Sequence, residues 1–177
     1  MRVKRHQSIV VKRAPGRPNE GRLLLPQGVR RAAIGRSGIG ALKREGDGAT
    51  PLGRFPIREV MYRADRVPRP RTRLPVRAIR ADDGWCDDPS DRNYNRRIRL
   101  SSRRGAEELT RADHLYDLIV VLGYNDRPRV KGKGSAIFMH LARAGYTPTE
   151  GCIALSRRDL SALMQHLRPG MAIDIRR

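Results

Sequence analysis

Cys152 and His140 are the side chains whose chemistry and spacing invite a reaction. They are one of two cysteines and one of four histidines, set in "HLARAGYTPTEGCIAL". A thiol attacks as thiolate, and an unperturbed cysteine with a pKa near ~8.5 is mostly protonated at neutral pH, so it needs a base within reach. His140 ends an apolar run and Gly151-Cys152 opens the next. If these two runs pair as antiparallel strands, imidazole and sulfur meet at one sheet edge. Gly151 has no Cβ and admits a substrate carbonyl, so the amides of Gly151 and Cys152 are candidates for an oxyanion hole. A purely structural reading stands beside this one: free cysteine is among the most buried residue types, and "CIAL" also reads as a core strand.

The elements that would position this pair are mainly strands. From Ser8 to Ile57 short apolar runs ("SIVV", "RLLLP", "RRAAIG") are broken by Gly, Pro and Asp, the pattern of strands and tight turns. Residues 63–81 hold Pro68, Pro70 and Pro75 among arginines and suit a long loop or an edge segment. Residues 82–97, "DDGWCDDPSDRNYNRR", have no periodicity and read as a loop. A short helix is expected over 105–113, then buried strands at Leu118–Leu122, in "SAIFMHL" and in "CIAL". Ser156–Leu167 is the clearest helix: Ser156 caps it, Asp159 completes the capping box, and Leu160, Leu163, Met164 and Leu167 form one stripe. "MAIDI" closes the chain as an alternating strand. The expectation is a mainly β, single domain over residues 1–177, with residues 1–7 a flexible N-terminus.

Composition bounds the alternatives. The chain has 177 residues and 38 Lys+Arg against 18 Asp+Glu, a formal charge of +20. Such an excess raises a nucleic-acid-binding module as a rival reading. The basic residues are scattered, however, and almost all are arginine. Two Phe, five Tyr and one Trp are few for stacking on bases. No window approaches the roughly 18 apolar residues of a membrane span, and the N-terminal "SIVV" is far short of the roughly 7 to 15 residue core of a secretory signal. Cysteine spacing matches no zinc pattern, and the aspartates near Trp85 do not have calcium-loop spacing, so no metal or cofactor is expected. Cys86 is expected as an unpaired thiol, with a redox pair to Cys152 as the alternative.

Four blocks in order, "KREGDGATPLGRFPI" (43–57), "GWCDDPSDRNYN" (84–95), "YDLIVVLGYN" (116–125) and "HLARAGYTPTEGCIALSRRDL" (140–160), resemble the L,D-transpeptidase catalytic-domain family, also called YkuD-type. The resemblance implies a β-sandwich or barrel. It also implies a cysteine nucleophile that forms a thioester with a peptidoglycan stem peptide and passes the acyl group to the side-chain amine of a neighbouring diaminopimelate. Cys152 would be the nucleophile, His140 the general base, and Gly151 part of the oxyanion site. Thr149, Gly151, Cys152 and Ile153 match the family motif. Leu141 stands where Gly is usual, Glu150 replaces the second His, and Ala154 replaces the usual Arg.

Loss of that Arg removes a carboxylate anchor, so an altered donor position is expected. Glu150 would oppose thiolate formation unless turned toward an arginine or the incoming amine. Trp85, Tyr94, Asn95, Tyr124 and Asn125, with Thr149 and Glu150, are the candidate substrate-binding residues. The expected partners are muropeptides rather than nucleic acid, and the expected state is a monomer. The substrate class points to the periplasm or cell wall, whereas the absence of a visible signal leaves the cytoplasm open. A family member that binds peptidoglycan without turnover is a further alternative.

Overall fold

A computed structural model describes residues 9–100 and 106–177; the expected flexible N-terminus, 1–7, lies outside the described residues. Short runs rich in Val, Ile and Leu between Gly and Pro turns do form strands. In chain order they are β1 (Ile9–Ala14), β2 (Arg17–Leu25), β3 (Gly28–Ala33), β4 (Ile39–Gly40), β5 (Thr50–Pro51), β6 (Gly53–Tyr62) and β7 (Val76–Ala78). Then follow β8 (Asp83–Cys86), β9 (Arg97–Arg99), β10 (Ala106–Glu108), β11 (Leu118–Leu122), β12 (Phe138–Leu141), β13 (Ile153–Leu155) and β14 (Ala172–Arg176). The helix α1 (Arg157–His166) lies between the last two strands.

Nine strands form one sheet in the order β11-β12-β13-β3-β2-β1-β14-β6-β7, and an additional β11–β6 pairing closes it into a barrel-like ring with only β7 outside. The Pro/Arg-rich stretch 63–81 supplies that outer strand, parallel to the end of β6, in line with its reading as an edge segment. The architecture is the mainly β one expected from the turn-punctuated sequence.

Strand alternation divides the side chains between two environments. Leu118, Val120 and Leu122 of β11, Met139 and Leu141 of β12, and Ile153 and Leu155 of β13 enter one aliphatic core. The stripe of α1, Leu160, Leu163 and Met164, packs into the same core together with Leu167. The α1 start is the expected box: Ser156 Oγ accepts from the Asp159 N–H at 3.1 Å and donates to the Asp159 carboxylate at 2.8 Å. The opposite face of the same strands carries Ile119, Val121, Ala136, Phe138 and Cys152, packed with Met61, Leu109 and Tyr116.

Two local expectations are corrected. From 106 on, the segment read as a helix over 105–113 is strand β10 followed by irregular chain and a 3-10 turn, His114–Tyr116; residue 105 lies outside the described residues. Residues 82–97 are not all loop, since β8 pairs with both β9 and β10 in a separate three-stranded sheet. Segments this short take their structure from partners distant in sequence, and local periodicity cannot register them.

Candidate active site

Strands β12 and β13 are neighbours, but they pair in parallel rather than antiparallel: Met139 faces Ile153, His140 faces Ala154 and Leu141 faces Leu155. The chain from Ala142 to Cys152 is therefore a crossover, carried by a 3-10 turn at Ala144–Tyr146 and the loop before Cys152. On its other side β13 meets β3 antiparallel through Ala154 and Ala33. With a side-chain period of two, Phe138 and His140 on β12 share a face with Cys152 and Ala154. His140 and Cys152 both line a cleft of about 430 Å³. The pair is thus brought together diagonally across two parallel strands, not at the mouth of a hairpin.

Hydrogen bonds fix both groups. The His140 Nδ1 lies 2.8 Å from the Leu141 carbonyl. A carbonyl only accepts, so Nδ1 carries the proton and Nε2 keeps its lone pair. The Cys152 thiol donates to the Ala136 carbonyl at 3.1 Å, and its sulfur accepts from the Phe138 N–H at 3.4 Å. Among the described residues no hydrogen bond joins the sulfur to the imidazole. Burial pushes the Cys152 thiol up to about 12, with Glu107 adding to the rise and the Phe138 amide and Lys43 opposing it. Burial also holds His140 down to about 4. At neutral pH the resting pair is therefore a neutral thiol and a neutral imidazole.

Thr149 ties the loop down in front of the nucleophile. Its hydroxyl donates to the Cys152 carbonyl at 2.6 Å and accepts from the Gly151 N–H at 3.2 Å. The Gly151 amide, expected in the oxyanion site, is thus engaged by Thr149 in this structure. The glycine is required for another reason. Its φ is +136°, and a Cβ would sit 2.8 Å from the Ala49 carbonyl. The replaced motif positions behave differently from each other. Ala154 is buried between His140 and Ala33 and lines the cleft. Glu150 is exposed and paired with Arg36, whose Nε reaches its two oxygens at 3.0 and 2.8 Å. Glu150 is not among the charges acting on the thiol.

Trp85, Tyr94, Asn95, Tyr124 and Asn125, expected as substrate-binding residues, do not line the cleft that holds Cys152 and His140. Their polar atoms are used inside the protein. The Tyr94 hydroxyl donates to Glu45 and accepts from the Gly134 N–H. Asn125 holds the turn ahead of β12 through Val130 and Gly134, and the Tyr124 ring packs edge-on against Phe55 at 5.3 Å. Trp85 packs edge-on against Phe138 with centroids 5.0 Å apart and donates its indole N–H to Asn95 at 2.9 Å. Asn95 is buried at the centre of this group. Cys86 and Cys152 are both free thiols.

The cleft also holds residues that sequence reading passed over: Glu107, Arg111, Tyr116 and Arg143. The Tyr116 ring stands edge-on to His140 at 5.3 Å, and its hydroxyl donates to Glu107. Burial raises the Glu107 carboxyl above its ordinary range. Arg111 clamps Asp113 through two bonds of 2.9 and 2.8 Å, and Arg143 reaches the same carboxylate at 3.3 Å. These guanidiniums, Arg111 above all, hold Asp113 well below the usual carboxylate range. Glu107 reaches the cleft from strand β10 and Arg111 from the irregular chain that follows it.

These features, a barrel-like β fold with a thiol and an imidazole on one face of two parallel strands, define a candidate cysteine-dependent enzyme. The sequence model of the L,D-transpeptidase catalytic domain (YkuD) matches residues 10–175, so the chain belongs to that family. Searches of the curated proteins and of the solved structures return no match. The family assignment lends no support to a nucleic-acid-binding module.

Proposed function

We propose that this protein is a peptidoglycan L,D-transpeptidase in which Cys152 and His140 perform acyl transfer between stem peptides. The observation that carries the reading is the placement of both groups in one cleft, with the His140 Nδ1–H committed to the Leu141 carbonyl and Nε2 left as the base. Because thiol and imidazole are both neutral at rest, proton transfer accompanies attack instead of preceding it. The S–H bond turns from the Ala136 carbonyl to Nε2, sulfur bonds to the donor carbonyl carbon, and the proton passes to the imidazole. The tetrahedral oxyanion is held by the Cys152 amide at the head of β13. Collapse breaks the C–N bond, the leaving amine takes the proton from the imidazolium, and a thioester remains. An acceptor amine then attacks the thioester, gives its proton to Nε2 and forms the new amide as the thiol is restored. Water in the amine's place gives L,D-carboxypeptidase activity.

Donor recognition differs from the commoner family pattern in this reading. Ala154 offers no guanidinium, so a stem carboxylate falls to Arg111 and Arg143 across the cleft, and the cross-linked position shifts with it. Thr149 and Glu150 line the acceptor side. Such a substrate places the reaction in the periplasm or cell wall.

The test is incubation of the protein and its Cys152→Ala form with purified muropeptides. The wild type should yield a covalent acyl-enzyme mass together with dimers or trimmed stems, and the variant none. A wild type that gives none of these while still binding peptide would make it a non-catalytic binder. Dimers linked only at the family's ordinary position would remove the altered-donor element alone.

A further inference from the structure

The carbonyl that holds the nucleophile belongs to an unusual residue. Ala136 has φ +50°, a left-handed conformation that L-residues with a Cβ seldom adopt. Its oxygen accepts the Cys152 thiol, so the direction of that S–H bond depends on a peptide the chain does not favour by itself. The neighbouring side chain does not secure it, because the buried Ser135 hydroxyl finds no partner among the described residues. One side chain does. The Asn95 Oδ1 accepts from the Ala136 N–H at 3.2 Å.

Asn95 is itself fully committed. The same Oδ1 accepts from the Trp85 indole at 2.9 Å, and Nδ2 donates to the carbonyls of Tyr124 at 3.0 Å and Asn125 at 2.8 Å. Its own N–H donates to the Cys86 carbonyl at 2.8 Å, and its carbonyl accepts from Arg129 at 3.1 Å. It is buried, with φ +55°, a conformation that asparagine tolerates better than most residues. A rigid, fully bonded amide thus holds the N–H of Ala136, one φ/ψ pair away from the carbonyl of the same residue that accepts the Cys152 thiol.

We propose that Asn95 is a positioning residue for the nucleophile: by holding the Ala136 amide it fixes the carbonyl to which the Cys152 thiol donates, and so keeps the sulfur protonated and oriented until substrate arrives. The proposal rests on Cys152 being the nucleophile, as argued above. A hydrogen bond given by the neutral thiol favours the neutral form. The other ionisable groups around the sulfur are Glu107 of β10, Tyr116 of the 3-10 turn, Lys43 and, on β12, His140. None of them hydrogen-bonds the Asn95 side chain, whose partners are Trp85, Ala136, Tyr124 and Asn125.

Two measurements test it without any muropeptide. In the wild type, the S–H stretching band lost on Cys152→Ala, read in a Cys86→Ala background, should lie at the lowered frequency of a donating thiol; a free-thiol frequency overturns the proposal. In Asn95→Ala with an intact near-ultraviolet circular dichroism spectrum, iodoacetamide should alkylate the Cys152 peptide about tenfold faster at pH 8, the effect of one lost hydrogen bond or about one pKa unit. The muropeptide reaction should then lose kcat with KM unchanged. Unchanged alkylation in the folded variant overturns the proposal, and if the variant does not fold the wild-type band decides. A wild type inert toward muropeptides but showing both thiol effects would retire the transferase reading and leave the role of Asn95 standing.

Discussion

Strands β11, β12 and β13 present two faces that the same alternation separates but that do opposite work. One face sends Leu118, Val120, Leu122, Met139, Leu141, Ile153 and Leu155 into an aliphatic core shared with α1. The other sends Phe138, His140, Cys152 and Ala154 toward Trp85, Tyr116 and the cleft, where the imidazole Nδ1 and the thiol are buried and held by hydrogen bonds. Adjacent residues of one strand therefore differ in what a substitution removes. On the first face it removes apolar contact, and on the second a hydrogen bond or a proton site.

The largest contrast is between Leu155→Ala and Cys152→Ala. Leu155 is fully buried in the aliphatic core, so truncation should cost about 2 to 5 kcal/mol of unfolding free energy, with activity per folded molecule retained. Cys152→Ala should abolish thioester and product formation while costing about 1 kcal/mol or less, since it deletes only the sulfur and its two hydrogen bonds. Urea unfolding alongside muropeptide turnover reads both. A Leu155→Ala protein that is stable but inactive would show that the faces are not separable in this way.

His140→Gln sharpens the same comparison through pH. The folded-state pKa is near 4, below the ordinary value of about 6.5. Between those values the unfolded chain binds more protons than the folded one, so stability is fully in place above pH 6.5 and falls as acid carries the solution down to pH 4. The loss attributable to this one group is about 3 kcal/mol. His140→Gln should lack it, so the urea midpoints of the two proteins should differ in how far they fall between pH 7.5 and pH 4.5. Turnover should drop by about 10² to 10⁴-fold with loss of the general base. An equal acid sensitivity in both proteins would mean that the imidazole is already solvated.

The two faces were not equally legible in the sequence. The aliphatic face announced itself: "LIVVL" became β11 and the Ser156 box with its Leu160-Leu163-Met164 stripe became α1, because each depends on spacing within one segment. The site face was legible in its atoms but not in its geometry. Cys152 and His140 stood out by residue type, yet their strands run parallel, and β13 pairs on its far side with β3, more than a hundred residues away in the chain. Asn95 was noticed as a polar residue able to bond peptide groups, and it does so, but the groups are Ala136, Tyr124 and Asn125 of its own chain. Glu107 and Tyr116 escaped because a three-residue strand and a three-residue turn leave no periodic trace.

The smallest effect separates the cleft's rim from its floor. Glu150 stands next to Gly151 in sequence, but its carboxylate turns outward to Arg36, and the charges that act on the thiol are Glu107 and Lys43. With both partners of the Arg36 pair largely exposed, Glu150→Gln should change stability by less than about 0.5 kcal/mol. The Cys152 alkylation rate should likewise stay within about twofold, because a screened charge at the rim contributes little at a buried sulfur. If Glu150 meets the acceptor ammonium instead, the same variant should raise the KM for the amine-bearing stem and shift products from dimers toward trimmed stems, leaving thioester formation intact. Faster alkylation in the variant would place Glu150 electrostatically on the sulfur, and the division between rim and floor would have to be redrawn.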